Sequence, residues 1–360
     1  MPPLPHLPAT PHLHWGAEKL WQQLAPLLPG LSVEVVARAA STNTELLERA
    51  RRLNLPRGEA HSRLGELDSA AGTERRPGRR HADTQPCLLV AEHQTRGRGR
   101  QGKAWLSSAG ASLTFSLALP LAPADWSGLS LAVGLALADA LDPPQPGQPP
   151  RLGIKWPNDL LLLARGAAGV GSTSAHSTAP TTSATTADAI GRKVGGILIE
   201  TVQVGERRMA VVGVGLNLLP QPLPPPDADA DADADADPAA GDASPSATRL
   251  SWGYACLQEL QYGITAPAAL ARVAPALVQA LLAFERDGFA PLRARFAARD
   301  VLLGRRVSTS LPTLPAGVAD GVDDTGTLWL RVGDQRLPVA SGELSLRADT
   351  DGSTPLAPAC

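Results

Sequence analysis

The sequence predicts an α/β chain in which helices and strands interleave, followed by a small all-β unit. Three observations predict it. Between residues 16 and 299, stretches with apolar residues at helical spacing alternate with short apolar runs of strand length. After Gly304 the pattern changes to short strands separated by Gly and Asp turns. Three segments have a composition that no core can use. Residues 56–86 are polar, charged and rich in Gly, Pro and Arg; 165–191 are mostly Gly, Ser, Thr and Ala; 220–247 join "PQPLPPP" to an Ala-Asp alternation. None can bury enough apolar area to offset its ordering entropy, so all three read as surface loops or disordered insertions.

With the insertions set aside, the elements follow in order. Residues 16–29 place Leu20, Trp21, Leu24 and Leu27 or Leu28 at helical spacing. "STNTELLERARRL" (41–53) is a capped helix, with Ser41 or Thr42 as the cap and Glu45 three residues after Thr42. "CLLVAE" (87–92) is a short buried strand that runs straight into a basic loop, and "ASLTFSLALPL" (111–121) is a second strand. Residues 126–141 form an apolar helix. "LGIKWPNDLLLL" (152–163) reads as strand, Pro-Asn-Asp turn, strand. "KVGGILIET" (193–201) and "MAVVGVGLNLL" (209–219) are two further strands, expected to be neighbours. Residues 266–299 are helical, with a break near Gly288 and Pro291. The last unit contributes strands at 305–309, 316–322, 327–332, 335–340 and 343–347.

Composition narrows the function classes. The 360 residues carry a net charge of −2, so the chain as a whole is no polycation and any anion binding is local. Its three cysteines, Cys87, Cys256 and Cys360, are far apart and lack metal-ligand spacing, which argues against a disulfide framework or a zinc site and fits a reducing cytoplasm. The N-terminus lacks the basic and apolar regions of a signal peptide. The longest mostly apolar run, 129–141, is shorter than the roughly 20 residues a bilayer span needs, so no membrane is expected.

Four clusters carry chemistry. "RGRGRQGK" (96–103) sets four cations among glycines that let the backbone approach a ligand. Hydrogen bonds to a charged group contribute about 1.5–3 kcal/mol each, so Arg96, Arg98, Arg100 and Lys103 could hold a phosphate. The loop matches neither the Walker A motif nor the G-x-G-x-x-G fingerprint, and alone it reads more readily as a solvated basic turn. Gln94 precedes it at a strand end, where an amide can both donate to and accept from a neutral polar ligand. "KWPND" sets Lys155 and Trp156 ahead of a turn bearing Asn158 and Asp159, a carboxylate that could help hold Mg²⁺. "RKVGGILIE" places Lys193 just before Gly195 and Gly196, where a ligand can approach closely. In "GVGLN", Gly213 and Gly215 alternate on one strand face, leaving room for a flat ligand or simply accommodating packing, and Asn217 follows.

In this order the clusters resemble the biotin protein ligases. The residues that carry the resemblance are "STN" (41–43), "EHQTRGRGRQGKAW" (92–105), "KWPND" (155–159), "KVGGILIE" (193–200) and "GVGLN" (213–217), with "SGELSLR" (341–347) similar to the family's C-terminal strand. The resemblance covers about residues 31–347, minus the insertions. The gaps before Gln94 and before Lys193 are longer than is usual in the family, and the glycine pair of "KVGG" replaces a more usual Ala-Gly.

The resemblance implies a mixed sheet flanked by helices, related to the class II aminoacyl-tRNA synthetases, and an SH3-like C-terminal domain. The implied layout is an N-terminal extension (1–30), a catalytic domain (31–300), the β domain (301–347) and a tail (348–360). The implied reaction has two steps: biotin attacks the α-phosphate of ATP to give biotinyl-5′-AMP, and a lysine of a biotin carboxyl carrier domain of acetyl-CoA carboxylase or a related carboxylase then takes the biotinyl group.

The same resemblance implies roles. Ser41, Thr42, Asn43 and Gln94 would hold the biotin head group, with Gly196 beside them. Gly97, Arg98, Gly99 and Arg100 would close over biotin and the adenylate. Lys193 would bridge the biotin carboxylate and the α-phosphate, making Arg98, Arg100 and Lys193 the catalytic set. Lys155, Asn158, Asp159 and Asn217 would serve the nucleotide, and Asp159 the Mg²⁺. Trp105 would pack under the loop rather than touch ligand.

A lipoate or octanoate ligase shares the fold and the acyl-transfer logic. A biotin-responsive DNA-binding repressor would need a complete helix-turn-helix domain, and the 30–40 residues ahead of the motifs are too few for one. No nucleic-acid partner is therefore expected. The apolar strands after residue 193 are compatible with a homodimer.

Overall fold

A computed structural model describes residues 13–52, 85–164, 190–221, 253–309, 314, 316–339 and 347–348. Most of the three insertions, the tail, and the "SGELSLR" motif up to Leu346 lie outside the described residues.

The element order is α1 (Ala17–Leu24), β1 (Ser32–Ala39), α2 (Thr42–Arg52), β2 (Cys87–Gln94), β3 (Gly97–Arg98), β4 (Ala104–Trp105), β5 (Ser112–Pro120), α3 (Leu129–Leu141), β6 (Leu152–Lys155), β7 (Asp159–Leu163), β8 (Gly191–Val204), β9 (Arg207–Asn217), α4 (Ala266–Asp287) and α5 (Arg293–Ala297). It closes with β10 (Arg306–Ser308), β11 (Ala316–Val322), β12 (Leu328–Val332), β13 (Gln335–Val339) and β14 (Arg347–Ala348).

Seven strands form one sheet in the order β1-β2-β5-β9-β8-β7-β6. β1 and β2 run parallel and every other neighbouring pair is antiparallel, so the sheet is mixed. The strands alternate with period two, and the alternation sorts residues onto two faces. On β5, Leu113, Phe115, Leu117 and Leu119 join the main core, together with Leu270, Val273, Leu277 and Leu281 of α4 and Val133 and Leu137 of α3. The opposite face carries Ala118 of β5 and Met209 and Val211 of β9, covered by Leu46, Leu47 and Ala50 of α2. Along that second face α2 covers only one end. Beyond it β5 continues as Ser112, Thr114 and Ser116, β9 as Gly213, Gly215 and Asn217, and β8 as Gly196, Leu198 and Glu200.

The sequence expectations hold for most elements, with physical reasons for the differences. β1 was not expected: its residues "SVEVVARA" show no clean apolar alternation, because the strand sits at the sheet edge and is only partly covered. The cap of α2 is Ser41, whose Oγ accepts from Thr44 N at 3.4 Å and whose carbonyl accepts from Glu45 N. Glu45 does not close a capping box with Thr42, because its carboxylate is paired with Arg49 one turn on. α4, not 129–141, is the longest apolar helix. By length and composition it would reach across a membrane, yet its apolar face is core.

The small all-β unit is a sheet in the order β13-β12-β11-β10-β14. Its buried residues, among them Val307, Ala319, Leu328 and Leu330, belong to the same apolar cluster as the large sheet. Polar contacts also join the units, among them an ion pair from Arg293 of α5 to Asp324 at 2.8 Å, in the turn between β11 and β12. Residues 299–301 run along the edge strand β6, with Ile154 N donating to Arg299 O at 2.7 Å and Val301 N to Ile154 O at 3.1 Å. The buried Trp156 donates its indole N–H to Gly326 O at 3.1 Å, in the turn between β11 and β12.

Candidate active site

The uncovered end of the α2 face gathers nearly every residue singled out in the sequence. Its first part is a buried chain of neutral polar groups. Thr42 N donates to Gln94 Oε1 at 2.7 Å. Thr42 Oγ1 lies 2.6 Å from Ser116 Oγ, and Ser116 Oγ donates to Asn43 Oδ1 at 2.6 Å. The amide of Asn43 donates in turn to Leu198 O and to Glu200 Oε2, both at 3.1 Å. Ser41, Thr42, Asn43, Gln94 and Ser116 are all buried. A cluster so enclosed, with its hydrogen bonds made, is rigid before any ligand arrives. Gln94 is further fixed by Ser107, whose Oγ accepts from Gln94 N at 2.8 Å. Gly213 makes room for the chain: a Cβ there would lie 2.2 Å from Asn43 Oδ1.

The second part is the basic loop. Its start is tied to the end of β1, with Thr95 N and Arg96 N donating to Ala39 O and Ala40 O. β3 and β4 then form a two-stranded hairpin over the sheet, with Gly97 opposite Trp105 and Arg98 opposite Ala104. Gly97 is required by this approach, since a Cβ would stand 2.3 Å from Trp105 O. At the tip, Gly99 N donates to Lys103 O, and Gln101 takes a left-handed conformation at φ 56°. Arg98 faces Glu200 Oε1 at 3.7 Å and donates to Thr44 Oγ1 at 3.3 Å. Arg100 reaches across the site to Asn158 Oδ1 at 3.5 Å.

The third part is a charged cluster at the β6–β7 turn. Lys193 Nζ pairs with Asp159 Oδ1 at 2.7 Å, and Lys155 Nζ lies 3.8 Å from Asp159 Oδ2. Burial opposes the charge on Asp159, but Lys193, Lys155 and Arg100 outweigh it and hold the carboxyl below the usual range. Burial lowers the Lys155 ammonium and the Arg100 guanidinium, each partly offset by Asp159. Asn158 donates to Ile197 O at 2.9 Å, which fixes the turn against β8. Asn217 is buried and donates to Lys193 O and Ala255 O, so it braces the strand that carries Lys193.

The structure decides between the two readings of the β9 glycines and locates Trp105. The space left by the alternating glycines of β9 does not stand open: Gly213 accommodates Asn43, and Gly215 accommodates Trp105 of the loop, whose ring atoms would lie 2.3–2.6 Å from a Cβ. Trp105 does pack under the loop, but on the floor of the site itself. Its ring lies 3.2 Å from a Cβ built on Gly196, Lys193 Nζ is 5.6 Å from its centroid, and its indole N–H is buried without a hydrogen-bond partner. Sequence reasoning also missed Ser116 and Glu200. The signal for Ser116 was present in the Ser112–Thr114–Ser116 alternation within an otherwise apolar strand. Glu200 had no signal beyond its place in the "KVGGILIE" motif.

The residues do not form a metal cage. Among the described residues no three His, Cys, Asp or Glu side chains come together, and Asp159 already faces two lysines.

The site thus sets a neutral polar pocket beside three cations, Arg100, Lys155 and Lys193, arranged around the Asp159 carboxylate, with Arg98 paired to Glu200 at the pocket's edge. It can seat a neutral head group at one end and stabilise negative charge at the other.

Known proteins are similar to this chain in sequence and in fold. Residues 79–217 match the "Biotin/lipoate A/B protein ligase family". The chain is 30% identical over 337 residues to a biotin–[acetyl-CoA-carboxylase] ligase of Mycobacterium tuberculosis, covering 91% of each chain. It is 31% identical over 260 residues to one from Paracoccus denitrificans, covering 70% of this chain and 88% of that one. A biotin protein ligase from Aquifex aeolicus, solved in complex with biotin and ATP, has the same fold with TM-score 0.53 at 21% identity, covering 89% of this chain and 99% of that one. With the ordered motifs brought to one face of one sheet, and with relatives matched over nearly their whole length, the chain belongs to the biotin protein ligases.

Proposed function

We propose that this ligase activates biotin with ATP as biotinyl-5′-AMP and passes the biotinyl group to a lysine of a biotin carboxyl carrier domain. The observation that carries the reading is the neutral chain Thr42–Ser116–Asn43, with Gln94, standing beside Lys193 and Arg100 on one sheet face. In the first step a biotin carboxylate oxygen attacks the α-phosphorus, the bond to the β-phosphate oxygen breaks, and pyrophosphate leaves. This needs charge stabilisation and positioning rather than an enzyme nucleophile. Lys193 and Arg100 supply the charge. Thr42, Asn43 and Gln94 hold the ureido head so that the carboxylate end meets Lys193. In the second step the carrier lysine attacks the acyl carbon, the C–O bond to phosphate breaks, and AMP leaves with the electron pair.

Gly97–Arg100, folded over the sheet as a hairpin, keeps the mixed anhydride from water between the steps. The nucleotide would lie between the hairpin and the Asn158 turn, which Arg100 spans by reaching Asn158 Oδ1 at 3.5 Å. Mg²⁺ would enter on the phosphates of ATP, since Asp159 with its two lysines is no cation site by itself.

The test is ATP–pyrophosphate exchange with biotin, lipoate, octanoate or no acid. Exchange that depends on biotin is the expected result. Exchange with lipoate or octanoate instead overturns the substrate, and exchange with none overturns the reaction. Arg100→Gly is expected to release free biotinyl-AMP faster than wild type; equal release would remove the retaining role of the loop.

A further inference from the structure

Among the described residues, Glu200 is the carboxylate that touches both the basic loop and the buried polar chain. Its two oxygens face in different directions: Oε1 lies 3.7 Å from Arg98 Nη2, and Oε2 accepts from Asn43 Nδ2 at 3.1 Å. Hydrogen-bond direction then propagates inward. An ionised carboxylate only accepts, as does the Leu198 carbonyl beside it, so the amide of Asn43 must point its NH₂ at this pair and its oxygen at Ser116. Ser116 spends its only hydroxyl proton on Asn43 Oδ1. Thr42 Oγ1 has one proton and two acceptors in reach, Ser116 Oγ at 2.6 Å and Gln94 Oε1 at 3.1 Å; because Ser116 has no second proton to give, the shorter contact takes it, which leaves the Thr42 oxygen lone pairs to accept from a ligand. Gln94 Oε1 is already occupied by Thr42 N, so Gln94 presents its NH₂. A cyclic urea, with N–H donors flanking a C=O acceptor, matches an acceptor at Thr42 and a donor at Gln94.

We propose that Glu200 is a positioning residue that sets the donor–acceptor polarity of the head-group pocket through Asn43 and joins that polarity to the seating of Arg98 on the loop. Glu200 touches no reacting atom, and it acts through Asn43. The inference rests on the biotin-ligase reading above.

The experiment measures biotin-dependent exchange in wild type, Glu200→Gln, Asn43→Ala and the double variant, with KM read separately for biotin and ATP. Glutamine is nearly isosteric but can donate, so it lets the Asn43 amide turn over and unpairs Arg98. The expected result is a rise of fivefold or more in KM for biotin, with KM for ATP within twofold. In the Asn43→Ala background the same substitution is expected to change KM for biotin less than twofold, because two residues acting through one path are not additive. A change below twofold in the wild-type background, or an equal factor in both backgrounds, overturns the proposal. Should Glu200→Gln not fold, Glu200→Asp, which withdraws the carboxylate by one methylene, is measured the same way. Wild type without biotin-dependent exchange sinks the ligase reading and this inference together; wild-type exchange with an unmoved Glu200→Gln sinks this inference alone.

Discussion

The two halves of the site are built on opposite principles. The polar chain from Gln94 to Asn43 is buried, neutral and made of hydrogen bonds of 2.6–3.1 Å among side-chain and backbone groups of α2, β2, β5 and β8. The other half is charged: Lys193 pairs with Asp159 at 2.7 Å, while the arginines are held more loosely, Arg98 at 3.7 Å from Glu200 and Arg100 at 3.5 Å from Asn158. The difference follows from the ligand each half is suited to. A small neutral ring gains most from groups fixed in advance, because polar groups that must reorganise on binding lose affinity. Charge that develops during a reaction is stabilised by cations that need not be fully satisfied beforehand. The neutral half therefore should set the KM for biotin, and the charged half the rate of adenylation.

Substitutions can break or sharpen this contrast. Lys193→Ala is expected to be the most damaging, lowering biotin-dependent exchange about 10²–10³-fold with little change in the affinity for biotin. A calorimetric biotin affinity that falls in parallel would show that the halves are not separable.

Asp159→Asn comes next, acting on stability. It leaves the buried Lys155 facing Lys193 without their shared carboxylate, at an expected cost of about 3 kcal/mol in denaturant unfolding at neutral pH. The pH dependence has a definite sign. The folded Asp159 carboxyl titrates below its unfolded value of about 3.9, so its stabilisation is full above that value and is lost as pH falls through the lower folded pKa. Unfolding followed down through that range should steepen in wild type and flatten in Asp159→Asn.

Smaller effects separate two glycines of one strand. Gly213→Ala drives a methyl into Asn43 and is expected to raise KM for biotin about tenfold, roughly 1.4 kcal/mol. Gly215→Ala meets the rigid Trp105 ring instead and should lower the turnover rate while leaving KM for biotin nearly unchanged. Identical profiles for the two variants would erase the boundary between the halves. The smallest effect is expected from the Arg98–Glu200 pair, whose arginine is exposed and whose carboxylate is half-buried. Arg98→Ala should cost under about 1 kcal/mol of stability, even though it weakens the lid.

The two halves also differed in how far the sequence disclosed them. The charged half was legible because its residues stand in local clusters, "RGRGRQGK" and "KWPND", and only Lys193 comes from farther along the chain. The neutral half depends on side chains distant in sequence: Thr42 meets Ser116 across 74 residues, and Asn43 meets Glu200 across 157. Ser116 was hidden in a strand read for its leucines, and Glu200 in a motif read for its lysine and glycines. β1 escaped because an edge strand need not alternate cleanly, although its pairing with β2 is what brings the end of α2 beside Gln94. The seat of Trp105 was illegible for another reason. Glycine spacing announces that something flat lies against the strand, but not whether it is a ligand or the chain's own indole.

The bond from Trp156 to Gly326 has a consequence for dissecting this enzyme into parts. The motif "KWPND" carries three residues of the charged half, yet the tryptophan at its centre finds its hydrogen-bond acceptor in the turn between β11 and β12. Close by, a Cβ on Gly128, at the start of α3, would lie 2.8 Å from Thr325 O in that same turn. A fragment ending before β10 would therefore leave the Trp156 indole N–H without its acceptor and uncover that ring next to the Asn158–Asp159 turn. Such a fragment would present itself at the bench as an enzyme with a nucleotide defect, although no nucleotide-facing residue had been removed.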